Sequence, residues 1–108
     1  LATPEVKVKQ KVKAVLKNLG AYYVMPVTGG YGRSGAPDFL VCYKGRFIGI
    51  ECKAGNNKPT ALQEKNLREI EDAGGSSLVI DEGNVVDVLF LINKTFEGES
   101  NETQTIRQ

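Results

Sequence analysis

Residues 38–53 hold two apolar runs, Phe39-Leu40-Val41-Cys42-Tyr43 and Arg46-Phe47-Ile48-Gly49-Ile50, with only Lys44-Gly45 between them. Two residues suffice for a hairpin loop and are far too few for a parallel crossover, so as strands the runs must pair antiparallel. The loop length also sets the register. Tyr43 faces Arg46, and counting back along both strands puts Asp38 directly across from Glu51, with Cβ atoms roughly 4.5–5.5 Å apart. Side chains alternate along a strand, so Lys53 shares the face of Glu51. The second run has the pattern of a strand buried on both faces, yet it closes on a carboxylate and an ammonium.

Two ionised carboxylates at about 5 Å repel by roughly 3 kcal/mol at an effective dielectric near 20, a poor arrangement for stability alone. A divalent cation between them reverses the sign. Mg²⁺ takes oxygen ligands, keeps several waters and commonly uses one or two protein carboxylates plus a substrate phosphate oxygen, a count that Asp38 and Glu51 meet. A cation there could orient a water and neutralise charge on a scissile phosphate, with the Lys53 ammonium positioning the nucleophile or steadying the same charge. The expected chemistry is metal-assisted hydrolysis of a phosphodiester. The competing reading is a hairpin end with ordinary solvated charges.

At 108 residues and 41% hydrophobic content, the chain can bury one modest core, and a single domain over residues 1–96 is expected, followed by a polar tail, 97–108, too poor in apolar residues to order alone. The longest apolar stretch, Val85 to Ile92, is short and broken by Asp87, and no signal-peptide pattern opens the sequence, so a cytoplasmic protein with no membrane association is expected. Cys42 and Cys52 fall on opposite faces of the hairpin, which disfavours a disulfide and favours reduced thiols. Charge is unevenly spread. Residues 1–58 hold ten bases against three acids, +7, and residues 59–108 hold four bases against ten acids, −6. The basic half carries Asp38, Glu51 and Lys53, the sign expected of a surface that approaches phosphates, although much of it is one lysine-rich helix face that could simply be solvated.

Thr3 as N-cap and Pro4 at the first helical position open a helix that ends near Gly20, with Val8, Val12, Val15, Leu16 and Leu19 as its buried stripe. Glu5 continues the stripe; it either supplies a third carboxylate, as an outer-shell or second metal ligand, or merely complements the helix macrodipole. Lys7, Lys9, Lys11, Lys13 and Lys17 occupy much of the remaining surface, able to track a nucleic-acid backbone. Ala21 to Val27 reads as an edge strand. In the Gly-rich stretch 28–36, Tyr31 and Arg33 either stack on a base and grip a phosphate or belong to a plain connector. Lys58, in the polar loop 54–59, is a further candidate DNA contact. Thr60 with Gln63 forms a capping box for a helix to about Ala73, a sufficient structural role for Gln63, which also sits beside the Leu67 and Ile70 stripe at the helix end nearest the proposed site. A short strand, Ser77 to Ile80, and a last helix from Val85 to about Thr95, capped by Asn84, complete the order. That last helix is apolar on more than one side, one to cover the sheet and one to meet a partner.

This order, with Gly32 and Gly35 before Pro37-Asp38, Glu51-Cys52-Lys53 closing the third strand, Glu5 on the early helix and Gln63 opening the next, resembles the PD-(D/E)XK nuclease superfamily and, more closely, its VRR-NUC family. The resemblance spans about residues 4 to 81. It implies an α/β (α+β) restriction-endonuclease-like core: helix, three-strand meander, helix, strand, helix, with a mixed central sheet flanked by helices. It also implies that Asp38, Glu51 and the Cys52 carbonyl bind Mg²⁺ or Mn²⁺, that Lys53 assists the water, and that Glu5 and Gln63 support the site. Small stand-alone members of the family are expected to pair as homodimers and nick branched DNA in the manner of Holliday-junction resolvases. The expected function is a structure-selective DNA endonuclease, the alternatives being a flap- or duplex-cutting nuclease and a non-catalytic nucleic-acid-binding module.

Overall fold

The structure, a computed structural model, describes residues 2–27 and 32–96. Helix α1 spans Pro4–Leu19. Thr3 accepts a hydrogen bond from the Val6 N–H through its side chain, and Gly20, at φ 72°, caps the other end with its N–H on the Leu16 and Lys17 carbonyls. Strands β1 (Tyr22–Val24), β2 (Phe39–Tyr43) and β3 (Arg46–Cys52) form an antiparallel meander. Helix α2 (Ala61–Asp72) then crosses to β4 (Ser76–Ile80), which runs parallel to β3, so the sheet is mixed with order β1-β2-β3-β4.

The hairpin is as tight as its sequence requires. Lys44 and Gly45 have φ of 52° and 78°, both positive, as in a type I′ turn, and Tyr43 pairs with Arg46 and Phe39 with Ile50. On one face of the sheet Phe39, Val41, Ile48, Ile50 and Ile80 bury against Val8, Val12 and Leu16 of α1 and against Val88 and Ile92 near the C-terminal end. On the other face lies α2. Gly49 makes that approach possible: a Cβ there would stand 2.6 Å from Ile70 Cδ1 and 3.2 Å from Pro37 Cγ. Arg46 ties the hairpin to both flanking layers by donating to the Gly74 and Thr95 carbonyls.

Two boundaries differ from expectation. β1 is confined to Tyr22–Val24, opposite Cys42, Val41 and Leu40, because Pro26 has no N–H to extend the ladder. The last helix begins with a 3₁₀ turn, Val85–Asp87, before α3 runs from 88 to 96, and the Asn84 side chain makes no capping bond. Its amide is spent elsewhere: Oδ1 accepts from the Asp81 N–H and Nδ2 donates to the Val79 carbonyl, bracing the turn that follows β4. The capping box at Thr60 and Gln63 is present in full. No described helix is long and apolar enough to cross a membrane. Cys42 is exposed and Cys52 buried, both as free thiols. The tail from 97 lies outside the described residues.

Candidate functional site

Asp38 occupies the bend just before β2, and Glu51 is the penultimate residue of β3, so the hairpin register brings both to one end of the sheet. Asp38 Oδ2 accepts a 2.7 Å hydrogen bond from the Cys52 backbone N–H, and Oδ1 lies 3.3 Å from Lys9 Nζ. A strand residue's N–H and C=O leave the strand on the same side, so the Cys52 carbonyl is directed toward Asp38 as well. Glu51 is only 2% exposed. Its Oε2 lies 3.5 Å from Lys53 Nζ, while Oε1 is buried without a hydrogen-bond partner.

Either a proton shared with Asp38 or a bound cation would satisfy that oxygen. A buried carboxylate oxygen without a donor costs free energy that a folded chain does not normally tolerate. Burial first, and then the charge of Asp38, push the Glu51 pKa up from 4.5 to about 7 against the opposing pull of Lys53. Burial likewise pushes the Cys52 thiol up to about 12, with Asp38 and Glu51 adding to the shift, and the side chain packs into the core. Two carboxylates and a carbonyl make an all-oxygen donor set, which suits a hard cation such as Mg²⁺ or Mn²⁺. Among the described residues no group of three or more His, Cys, Asp and Glu side chains gathers as a metal site, so a cation here would complete its shell with water or substrate oxygens, the habit of Mg²⁺.

Glu5 reaches this cluster through an intermediary. Its Oε2 lies 3.6 Å from Lys9 Nζ, which in turn contacts Asp38. Burial pulls the Lys9 pKa down, the charges and hydrogen bonds of Asp38 and Glu5 push it up, and the net direction is upward. Gln63 is engaged in its capping box, with Oε1 accepting from the Thr60 N–H at 2.9 Å. Lys7, Lys11 and Lys58 are exposed. Arg33 is exposed and pairs with Glu69 of α2. Tyr31 lies outside the described residues.

Sequence reasoning missed two participants. Lys9, read from the sequence as one more surface lysine, instead contacts Asp38; its distance from Glu5 was the available signal, but the contact with Asp38 is long-range. Asn66, buried on α2, donates to the Ser34 and Leu62 carbonyls and so fastens the segment that leads into Pro37-Asp38. A cleft of about 530 Å³ between the sheet and α2 is lined by Arg33, Pro37, Leu40, Phe47, Asn66 and Ile70 among others, without Asp38, Glu51 or Lys53. The acidic cluster is therefore not inside that cleft.

No family model matches the chain. Over 63 residues it is 35% identical to a protein named "Putative nuclease p44" from Acyrthosiphon pisum secondary endosymbiont phage 1, an alignment covering 57% of this chain and 68% of that relative. A solved structure described as a VRR_NUC domain superposes with a TM-score of 0.68 at 28% identity, covering 85% of this chain and 97% of the other.

Proposed function

The chain belongs to the VRR-NUC family of nucleases, and from that premise we propose that it is a divalent-metal-dependent, structure-selective DNA endonuclease that hydrolyses phosphodiester bonds in branched DNA, four-way junctions foremost. The observation that carries the metal dependence is the buried, unpartnered Glu51 Oε1 beside Asp38. Asp38, Glu51 and the Cys52 carbonyl would hold Mg²⁺ or Mn²⁺. When bound, such a cation supplies Lewis acidity, draining charge from the scissile phosphate and easing deprotonation of the attacking water.

The protein's own groups do the rest. The Cys52 N–H fixes one Asp38 oxygen, so that carboxylate is oriented before any ligand arrives. Lys53, held 3.5 Å from Glu51, keeps a cationic donor beside the reaction centre to hold the attacking water or steady the leaving oxygen. Gln63, on the first turn of α2, would help position water or phosphate if released from its capping bond to Thr60. Lys7, Lys11 and Lys58 are placed to follow the phosphate backbone, which gives affinity without reading bases, so selectivity falls to DNA shape and dimer geometry. Tyr31 and Arg33 would add contacts from the Gly-rich segment. Val86, Leu89 and Phe90 are 83%, 47% and 59% exposed at helical spacing. They support a homodimer whose two sites cut opposing strands. The free thiols favour a reducing cytoplasm.

The test is cleavage of labelled four-way junction, flap, hairpin and linear duplex in Mg²⁺, Mn²⁺ or EDTA, beside Asp38→Asn. Metal-dependent nicking that is strongest on the junction and absent in Asp38→Asn is expected. Retention of DNA with identical band patterns in metal and EDTA would instead identify a binding module, and strongest cutting of flap or duplex would replace the junction as substrate.

A further inference from the structure

We propose that Lys9 is the resident counter-cation of Asp38, and that its ammonium moves from Asp38 onto Glu5 when a divalent cation binds. The inference rests on the metal-centre reading above and adds a residue to it. Asp38 Oδ2 is committed to the Cys52 N–H, so Oδ1 is the oxygen left to face a ligand, and Lys9 Nζ sits 3.3 Å from it. The same Nζ lies 3.6 Å from Glu5 Oε2, one helical turn back along α1, in the favourable order of acid before base. Lys9 thus has two carboxylate partners, one of which a cation at Asp38 would claim. Three carboxylates, Glu5, Asp38 and Glu51, face two ammoniums, Lys9 and Lys53, a balance one positive charge short. Glu5, on this account, serves the metal centre by receiving Lys9 and touches no metal itself.

A cation competing with a seated ammonium binds more weakly than it would without it, so deleting Lys9 should tighten metal binding while destabilising the metal-free protein. Titration calorimetry with Mn²⁺ alone, without DNA, reads the first effect, and melting in EDTA reads the second. Lys9→Met is expected to bind Mn²⁺ about tenfold more tightly than wild type, whereas Lys9→Arg, which keeps the charge, stays within a factor of about two. Lys9→Gln replaces Lys9→Met should the latter not fold. Glu5→Gln is expected to weaken binding in the wild-type background and to have little effect once Lys9 is gone. Equal or weaker binding by both neutral variants would overturn the proposal, as would Glu5→Gln weakening Mn²⁺ equally in both backgrounds, since Glu5 would then act on the metal directly. A wild-type protein that gives no heat with Mn²⁺ overturns the metal-centre reading, and this inference falls with it.

Discussion

A carboxylate as deeply buried as Glu51, beside a second carboxylate, is held in its charged form only at a cost, and this cost makes the metal-free protein sensitive to pH. Because the folded pKa, about 7, stands above the ordinary 4.5, the native state binds more protons than the unfolded chain between those values, and stability falls as pH rises through that interval. In EDTA the melting temperature of wild type should therefore drop relative to Glu51→Gln between pH 4.5 and 7, and Mg²⁺ should recover much of the loss. Parallel curves for the two proteins would mean that Glu51 is not under this strain. The opposition of Asp38 and Glu51 was legible in the sequence because a two-residue loop leaves one register. The lone Glu51 Oε1 and the seat of Lys9 were not, since each depends on packing between elements distant in the sequence. The spacing of Lys9 from Glu5 marks it only as a partner of that acid, and its contact with Asp38 leaves no local signal.

At the scale of elements, the segment entering β2 does much of the positioning. Gly35 has φ 77°, and a Cβ there would meet Leu62 Cγ at 2.7 Å, Asn66 Nδ2 at 2.8 Å and the Leu62 carbonyl oxygen at 3.0 Å. Gly45 in the hairpin has a nearly identical φ of 78° and open space around it. Comparing Gly35→Ala with Gly45→Ala therefore separates packing against α2 from backbone strain common to both. Gly35→Ala is expected to lose about 1–3 kcal/mol more in denaturant unfolding, the usual range for overpacking. Equal losses would show that the segment is not wedged against α2. Helix ends followed directly from Thr3, Gly20 and the Thr60–Gln63 pair, whose bonds are local. Asn84 misled for a related reason: the residue type suits a cap, but Asp81 and Val79 claim its amide first. The Arg33–Glu69 pairing joins a loop to a distant helix and leaves no sequence signal.

For the whole molecule, the meander followed by a helical crossover was readable from alternating apolar runs and loop lengths, and the structural likeness to a VRR_NUC domain agrees with it. How two copies would meet was readable only as a helix with more apolar residues than one face can bury. Light scattering should find a dimer at micromolar concentration, and Leu89→Glu with Phe90→Glu should yield monomers with an almost unchanged melting temperature, since both side chains point outward. A monomeric wild type would remove paired cutting and leave the single-site chemistry intact. On the proposed reading, that chemistry depends on two acids, brought together by antiparallel pairing, sharing one ion. Titration of Mn²⁺ into metal-free wild type and into Asp38→Asn tests this most directly: saturable binding heat in the first and none in the second is predicted, and equal heats in both would contradict it.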